Sequence, residues 1–405
     1  MKTTARFEIQ RRKELSAIFT RDRMCRVWRD LVKTQLRQLD IPDLHDYYDF
    51  NYTIEARAEL IIERILAGQY RAEAPLLYRV EKKLGICRHM MLPSPADALV
   101  FQVIADVLHT ELTKVQPSKK AYYARDRHTL KLPHDVQESA GYPWFVLWPK
   151  FQEQIWGFTK SHPFLVTTDL SNYYDTIGFD DLRRVVAGHV PTKEVLLDLL
   201  FSLIEDLAWR PDYLPRATKG LPTIEIEAPR LLAHALLFEG DEVLKDRTND
   251  NFVRWIDDIN FGVTDAASAR RVLGELSDVL KSRGLALNLS KTQILTAHEV
   301  QRHFMFKENI RLTRVLKRAK SLKSSLAREN LGIRVTTQLK DHLLNCHVRN
   351  KDKITKRYFT VLNALGFPGA CSLCPELYAQ RQGFVQPSLD TFAVCHFRVL
   401  LHQRY

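Results

Sequence analysis

The spacing of apolar residues predicts a helical N-terminal part that is interrupted by one hairpin. Residues 1–55 are charged and favour helices, and stronger helical periodicity covers residues 56–66 and 96–112. Between those two helices, the basic residues 80–89 predict a β-hairpin with Gly85 at its tip. We therefore expect two long helices that flank a hairpin with cations on both arms.

Beyond the second helix the pattern changes twice. Residues 117–160 are rich in aromatic residues and predict loops, and residues 162–300 alternate between strand and helix patterns. From about residue 307 the chain is helical and basic. No internal repeat is visible. The alternation over residues 162–300, with helical patterns before and after it, favours an α/β fold with helical regions on either side.

Two short apolar stretches end in aspartate. Residues 164–168 predict a strand that ends at Asp169, and residues 252–263 predict two strands with Asp257 and Asp258 at the turn between them. Such a turn usually holds Asn-Gly or Asp-Gly, because adjacent carboxylates repel each other and are costly to desolvate. A single Asp-Asp pair is typically a solvated turn. A third acid at another strand end favours a site for two Mg²⁺ ions, which bind through one or two carboxylates plus substrate phosphates.

Composition limits the remaining choices. The 405 residues are 45% hydrophobic and 27% charged, which is typical of a globular protein of two or three domains. No apolar run approaches the roughly 18 residues that a membrane helix needs, and the first residues lack a signal-peptide core. We expect a cytoplasmic protein with no membrane partner. Lysine plus arginine exceed aspartate plus glutamate by 60 to 48, a net charge of +12 that favours a polyanionic partner.

Five blocks of residues, which include the two stretches that end in aspartate, follow one another as they do in the reverse transcriptases. Over residues 70–310 the chain resembles that family, most closely the bacterial defence-associated members of the unknown-group and abortive-infection types. Trp255 stands where that family usually has tyrosine. The resembling blocks are residues 80–97 (the finger hairpin), 164–175 (motif A), 219–233 (motif B), 255–258 (motif C) and 284–292 (motif D).

The resemblance implies a right-hand polymerase with an antiparallel-sheet palm, helical fingers and a helical thumb. The expected domains are an N-terminal helical extension (1–55), fingers (56–160), a catalytic palm (161–305) and a basic thumb with the C-terminal region (306–405).

The resemblance also assigns roles around the metal ions. Asp169 and Asp257 are the expected ligands, Asp258 is a supporting carboxylate, and the backbone carbonyl of Leu170 lies beside the same metal. Tyr174 lies where the family places a ring against the sugar 2′ position, which excludes ribonucleotides; a packed aromatic is the alternative.

Further residues are expected to contact the incoming nucleotide. Lys83 and Arg88 pair with the triphosphate, or belong to an ordinary solvated hairpin. Pro222 and Thr223 line the nucleotide site, and Lys291 is the general acid for the pyrophosphate leaving group, with a surface lysine as the alternative.

Motif B departs from the family. Ile224 follows the Pro-Thr pair, where a glycine is common, and Glu225 and Glu227 come next. Glutamates near a template repel its phosphates, so we expect an unusual contact with that strand.

The C-terminal part carries a basic helix over residues 307–328 and most of the cysteines. The expected nucleic-acid contacts of this helix are Arg311, Arg314, Lys317, Arg318, Lys320 and Lys323, with a solvated charged face as the alternative. Cys371 and Cys374 have zinc-ligand spacing, but the adjacent pairs at 346–347 and 395–396 favour free thiols.

The predicted activity is RNA-directed DNA synthesis with two Mg²⁺ ions, for which Mn²⁺ can substitute. The expected partners are deoxynucleotides, a structured noncoding RNA template and the DNA product, in bacterial antiphage defence as a homo-oligomer or with a second subunit. The alternatives are template-independent or protein-primed DNA synthesis and, from another class, a catalytically silent RNA-binding scaffold.

Overall fold

The structure, a computed structural model, describes most of the first 369 residues. The described ranges are 2–37, 39, 41, 43–83, 85–124, 144–191, 194–345 and 351–369. The chain divides into two compact units, of which the first is Met1–Tyr78 with His89–Leu295 and the second is Arg79–Arg88 with Thr296–Tyr405. No described helix combines the length and the apolar composition needed to cross a bilayer. The finer division into fingers, palm and thumb stays a prediction.

Helices precede and surround the sheet of the first unit. They are α1 (Lys2–Ile18), α2 (Arg21–Val27), a π-helical turn (Trp28–Val32), α3 (Lys33–Leu36), α4 (Tyr48–Tyr52), α5 (Ile54–Ala67), α6 (Pro95–Val115), α7 (Trp144–Ser161), α8 (Tyr173–Thr176), α9 (Phe179–His189), α10 (Glu194–Leu207), α11 (Glu227–Leu236), α12 (Phe238–Thr248) and α13 (Ala266–Ser282). The two helices predicted on either side of the hairpin are confirmed as α5 and α6.

Helix α6 is the central helix of the first unit. Ser94 caps it by accepting a hydrogen bond from the backbone nitrogen of Asp97 at 3.2 Å, and Pro95 occupies the first turn, where its missing N–H costs nothing. Buried residues such as Phe101 and Ile104 lie on several faces of the helix. A helix that is apolar nearly all round belongs inside the protein, where it packs against α10 and α11.

The aromatic segment 117–160 was predicted to be loop, and this prediction is wrong for α7. Leu147, Phe151 and Ile155 recur four residues apart and are all buried, so they form one face of a helix. Phe151 and Phe158 of this helix are therefore part of the buried core. Residues 125–143 lie outside the described residues.

In the described ranges, seven strands form a hairpin and one larger sheet. They are β1 (Leu76–Lys83), β2 (Ile86–Leu92), β3 (Ala121–Tyr122), β4 (Phe164–Thr168), β5 (Phe252–Trp255), β6 (Asp258–Val263) and β7 (Gln293–Thr296). Strands β1 and β2 pair with each other, and Gly85 between them has a φ of 78°, which confirms the predicted hairpin.

The larger sheet has the order β3-β5-β6-β4-β7. Strand β6 is antiparallel to both β4 and β5, whereas β3 is parallel to β5. The α/β class is therefore confirmed, but the sheet is mixed and not wholly antiparallel. A parallel pair needs a long connection, and the chain between β3 and β5 supplies one through several helices.

The described part of the second unit contains four further helices. They are α14 (Ala297–Phe304), α15 (Phe306–Ser321), α16 (Ser325–Asn345) and α17 (Lys351–Leu365). Their shared core includes Leu312, Leu339 and Leu362, all fully buried. The single basic helix predicted over residues 307–328 is wrong, because the chain becomes extended at Leu322, with a φ of −71° and a ψ of 124°.

Candidate active site

The register of the sheet brings the predicted acids to one edge. Strand β4 ends at Thr168, which pairs with Ile259, so Asp169 comes out beside the first residue of β6. Trp255 pairs with Asp258 and closes a turn of only two residues, Ile256 and Asp257. The three predicted carboxylates therefore end two neighbouring strands at the same edge.

Two of these carboxyl groups are in direct contact. Asp169 is buried, Asp257 is half-buried, and their side chains lie within hydrogen-bonding distance of each other. Burial raises the pKa of Asp257 to about 7, and repulsion from Asp169 and then Asp258 adds to that rise. The neighbouring carboxylates therefore disfavour the charged form of Asp257.

Lys291 is brought to the same point by the segment that follows α13. The backbone nitrogen of Asn288 donates to the carbonyl of Asp169 at 2.7 Å, and Leu170 bridges Leu287 in antiparallel fashion. These bonds fix the next turn, and the Lys291 ammonium forms an ion pair with the Asp169 carboxylate. The structure therefore places the predicted general acid against a predicted metal ligand.

Ile256, at the turn itself, has a backbone conformation that is unfavourable for its side chain. Its φ is 53°, in the left-handed region, where a β-branched residue costs on the order of 1–3 kcal/mol. Its N–H donates to the carbonyl of Tyr122 at 3.1 Å, and its carbonyl accepts from Arg254 Nη1 at 2.8 Å. Both backbone groups of Ile256 are thus held, which keeps Asp257 in place.

Arg254 was not predicted from the sequence as part of this site. This arginine is buried in β5, and its Nε donates to Asp241 Oδ1 on α12 at 2.6 Å while its Nη2 donates to the carbonyl of His234 at 3.3 Å. Burial raises the pKa of Asp241, and the positive charge of Arg254 opposes that rise. A cation inside an otherwise apolar strand, directly before the turn, was the signal in the sequence that pointed to this contact.

Trp255 anchors the turn from the other side. Its ring lies 6.4 Å from that of Tyr122 in a stacked arrangement and 5.2 Å from that of Trp148, edge to face. Phe151 completes the cluster, with its ring 5.9 Å from Trp255. The larger tryptophan in place of tyrosine therefore fills space against α7 and β3.

The predicted nucleotide-binding residues of motif B meet the motif A region through the backbone. Leu221 N–H donates to the carbonyl of Tyr174 at 2.8 Å, and Met91 N–H donates to the carbonyl of Thr223 at 3.0 Å. Pro222 between them is buried. Tyr174 is half-buried, and its ring packs edge to face on that of Tyr173 with 5.8 Å between centroids. The backbone hydrogen bond from Leu221 therefore places Tyr174 beside the segment that contains Pro222 and Thr223.

One expectation for motif B is wrong. Glu227 was expected near the template, but its side chain is fully buried and accepts from Gln102 Nε2 at 3.5 Å. The backbone nitrogen of Glu227 donates to Gln35 Oε1 at 3.4 Å. Only Glu225 is exposed, so the repulsion expected from two carboxylates reduces to that from one.

The remaining predicted residues lie in the second unit of the chain. Arg88 is exposed and belongs to the second unit, and the side chain of Lys83 lies outside the described residues. The predicted nucleic-acid contacts in and after α15 are all exposed, and they are Arg311, Arg314, Lys317, Arg318, Lys320 and Lys323. Arg311 also donates to the hydroxyl of Tyr358.

The cysteine predictions fall mainly outside the described residues. This applies to Cys346, Cys371, Cys374 and Cys395 and to their neighbouring histidines. Within the described ranges, Cys25 and Cys87 are free thiols.

The carboxylates fit a hard cation. In the described part of the chain, no three Asp, Glu, His or Cys side chains converge as a ready-made metal cluster. Asp169 and Asp257 do meet, and Mg²⁺ commonly binds through one or two carboxylates and takes further ligands from substrate phosphates and water. The donor set therefore suits a metal that binds together with a nucleotide.

Comparisons with known proteins found only distant structural similarity. No family model matches the chain, and no curated protein matches it. Among solved structures, it is similar to apo telomerase from Candida tropicalis truncated from its C-terminal domain, with 15% identity and a TM-score of 0.38 over 55% of this chain and 49% of that one. It is also similar to Candida albicans telomerase in complex with a TWJ fragment of telomeric RNA, with 10% identity and a TM-score of 0.42 over 85% of this chain and 68% of that one. A third similar structure is apo Candida tropicalis telomerase, with 10% identity and a TM-score of 0.38 over 84% of this chain and 67% of that one. The chain thus spans about half of the first protein, and likeness this distant carries no argument about what it does.

Proposed function

We propose that this protein is an RNA-directed DNA polymerase. The observation that carries the proposal is the contact between the Asp169 and Asp257 carboxyls at one sheet edge, with Lys291 paired to Asp169. Buried like charges are costly, so this arrangement is favoured where a cation and a phosphate-bearing substrate bind.

The acids would hold two Mg²⁺ ions, or Mn²⁺ in their place. Asp169 and Asp257 would be the ligands, with Asp258 and the carbonyl of Leu170 beside them. When bound, the ions would stabilise the attacking and leaving oxygens of nucleotidyl transfer.

The chain's own groups would orient the nucleotide and handle the proton. Lys291 pairs with Asp169, so its ammonium group would donate a proton to the pyrophosphate leaving oxygen. Tyr174 would exclude a 2′-hydroxyl, and the segment with Pro222 and Thr223 would support the base and sugar, because its backbone is bonded to Tyr174 and to β2.

Cations elsewhere would bind the phosphates. Lys83 and Arg88 of the hairpin would contact the triphosphate. The exposed cations of α15 and of the loop after it would lie along the backbone of the template and product strands, where each neutralised phosphate releases counterions.

Primer extension on an RNA template tests the proposal. Asp257→Asn combined with Asp258→Asn should abolish deoxynucleotide incorporation while RNA affinity stays near that of the wild type. Asp278→Asn is the matched control, because Asp278 is an exposed carboxylate on α13 that is not among the proposed metal ligands. Incorporation that survives the double substitution would contradict the site.

The sugar selection has its own test. Tyr174→Ala should admit ribonucleotides, because it removes the ring proposed to block the 2′ position. An unchanged preference for deoxynucleotides would remove that role from Tyr174.

A second candidate is template-independent DNA synthesis, primed on a protein hydroxyl or otherwise. Buried Ile224, where the resembling family commonly has glycine, favours it, because the loop that supports the templated base pair then differs. Omission of the RNA separates the two candidates, since only the second continues to add nucleotides. A role in antiphage defence, a dedicated noncoding RNA and a second subunit remain proposals drawn from the sequence resemblance.

A further inference from the structure

The loop between α10 and motif B exposes aromatic rings among cations. Trp209 is 44% exposed and Tyr213 is 82% exposed. Arg210, Arg216 and Lys219 are exposed around them, against one exposed carboxylate, Asp212, a balance of three positive charges to one negative. We name residues 209–219 the stacking loop.

The loop is held in place at both ends. The Trp209 ring packs on the ring of His89 in β2, with 4.6 Å between centroids and a tilt of 39°. At the other end, Phe179 N–H donates to the carbonyl of Thr218 at 3.1 Å, and Lys219 bridges Gly178. The exposed rings are thus presented from an anchored segment.

The stacking loop adjoins the proposed nucleotide site. Strand β2 contacts Trp209 through His89, and two residues further on Met91 donates to the carbonyl of Thr223. One strand therefore supports both the loop and the motif B segment. A template base that has not yet paired with a nucleotide must lie next to that site.

A second exposed aromatic pair shows what is distinctive about the loop. Tyr48 and Tyr52 on α4 are 61% and 75% exposed, and their rings stack at 5.8 Å. Their surroundings carry the exposed acids Asp43, Asp46 and Asp49. The two segments have similar aromatic exposure, but residues 43–52 contain no lysine or arginine, and the neighbouring Arg37 is paired with Asp46. The stacking loop, in contrast, carries its own exposed cations for a phosphate backbone.

We propose that the stacking loop binds unpaired nucleotides of the template strand, with Trp209 and Tyr213 stacking on bases and Arg210 and Arg216 contacting phosphates. The proposal rests on the proposed polymerase function for the identity of the strand. Base–aromatic stacking is sequence-tolerant and contributes strongly to single-strand affinity, and neighbouring cations add a salt-dependent part.

Fluorescence anisotropy tests the proposal with two duplexes, one with an unpaired 5′ template extension and one blunt. Trp209→Ala with Tyr213→Ala should weaken binding of the extended duplex by about tenfold or more and leave blunt-duplex affinity nearly unchanged. Trp209→Phe with Tyr213→Phe should restore the affinity, because it keeps both rings. Arg210→Gln with Arg216→Gln should flatten the dependence of affinity on salt.

Tyr48→Ala with Tyr52→Ala is the matched control and should bind both duplexes like the wild type. An extended-duplex affinity within about twofold of the wild type for the double Trp209, Tyr213 variant would overturn the proposal. An equal loss on the blunt duplex would also overturn it, as would a loss in the control variant. The binding assay does not depend on catalysis. If the protein extends no primer but its preference for the extended duplex over the blunt one still depends on Trp209 and Tyr213, the stacking-loop proposal is supported and the polymerase proposal is overturned.

Discussion

Two ion pairs lie beside the turn between β5 and β6, and they differ in how far they are exposed to solvent. Arg254 and Asp241 are 1% and 0% exposed, whereas Lys291 and Asp169 are 48% and 3% exposed. We call them the buried pair and the half-exposed pair. Both place a cation against an aspartate within a few residues of the proposed catalytic edge.

The difference between the pairs indicates a division of work. Arg254 uses its guanidinium on Asp241 and on two backbone carbonyls, so it holds the turn and has no exposed face for a substrate. Lys291 pairs with one carboxylate and keeps half of its side chain in solvent. A cation in that position can exchange its partner when a phosphate arrives, so one pair fixes geometry and the other is free for chemistry.

The largest expected effect is on stability at the buried pair. Arg254→Ala should lower the free energy of unfolding by about 3–5 kcal/mol, because it leaves Asp241 as a buried carboxylate without its partner. Lys291→Ala should lower it by less, because Lys291 itself is half in solvent and water can approach Asp169 once the ammonium is removed. Urea denaturation of both variants measures the contrast.

Replacement of both partners controls for the burial cost. Arg254→Met with Asp241→Leu should regain most of the lost stability, since no unpaired charge remains, yet should not regain activity, since the Ile256 carbonyl has lost its donor. Equal destabilisation by Arg254→Ala and Lys291→Ala would contradict the division of work.

The next effect is on catalysis at the half-exposed pair. Lys291→Ala should slow single-nucleotide incorporation by about 10²-fold or more, the range of a positioned general acid, with template affinity unchanged. Rapid-quench kinetics with saturating nucleotide measures the rate. Lys281→Ala, a change of an exposed lysine on α13, is the control, and equal rates for the two variants would remove the acid role.

The sequence drew attention to both members of the half-exposed pair, although not to their contact, and to neither member of the buried pair. Asp169, Asp257 and Lys291 each stand in a recognisable block, and the structure brings them to one end of the sheet. Arg254 could not be paired with Asp241 in advance, because that contact depends on how α12 packs beneath the sheet. The expectation that Glu227 lies near the template was wrong for the same reason. Its burial depends on contacts with Gln102 of α6 and Gln35 of α3, which are far from it in the sequence.

A smaller effect concerns the metal. Mg²⁺ at ten times its Kd should stabilise the wild-type protein by about 1.4 kcal/mol, because it binds only the folded site. Thermal unfolding with and without the ion measures the gain. Asp257→Asn should lose it and Asp278→Asn should keep it, whereas an equal gain in both would place the ion elsewhere.

The smallest effect concerns the strained turn. At position 256, glycine should be more stable than alanine by about 1 kcal/mol, because the left-handed φ of 53° suits a residue without a side chain. Both substitutions remove the bulk of the buried Ile256 side chain. The difference in unfolding free energy between them therefore reports the conformational preference of the backbone. Higher stability for alanine would show that the turn relaxes when Ile256 is replaced.

The positive φ at Ile256 also marks the limit of sequence patterns. A tight turn was predicted at Asp257 and Asp258, but the turn lies one residue earlier, at Ile256 and Asp257, because Asp258 of β6 already pairs with Trp255 of β5. A β-branched residue is not expected in the left-handed region that Ile256 occupies. The hydrogen bonds from Ile256 to Tyr122 and from Arg254 to Ile256 hold that conformation, and both come from pairing that only the folded sheet creates.

The most direct test is to recover the protein from cells with its bound nucleic acid and to sequence both RNA and DNA, for the wild type and for Asp257→Asn. The account predicts one defined RNA in both samples and complementary DNA in the wild type alone. DNA of biased sequence without a matching RNA would favour untemplated synthesis, and RNA with no DNA in either sample would favour the scaffold. Complementary DNA that persists with Asp257→Asn would contradict the proposed active site.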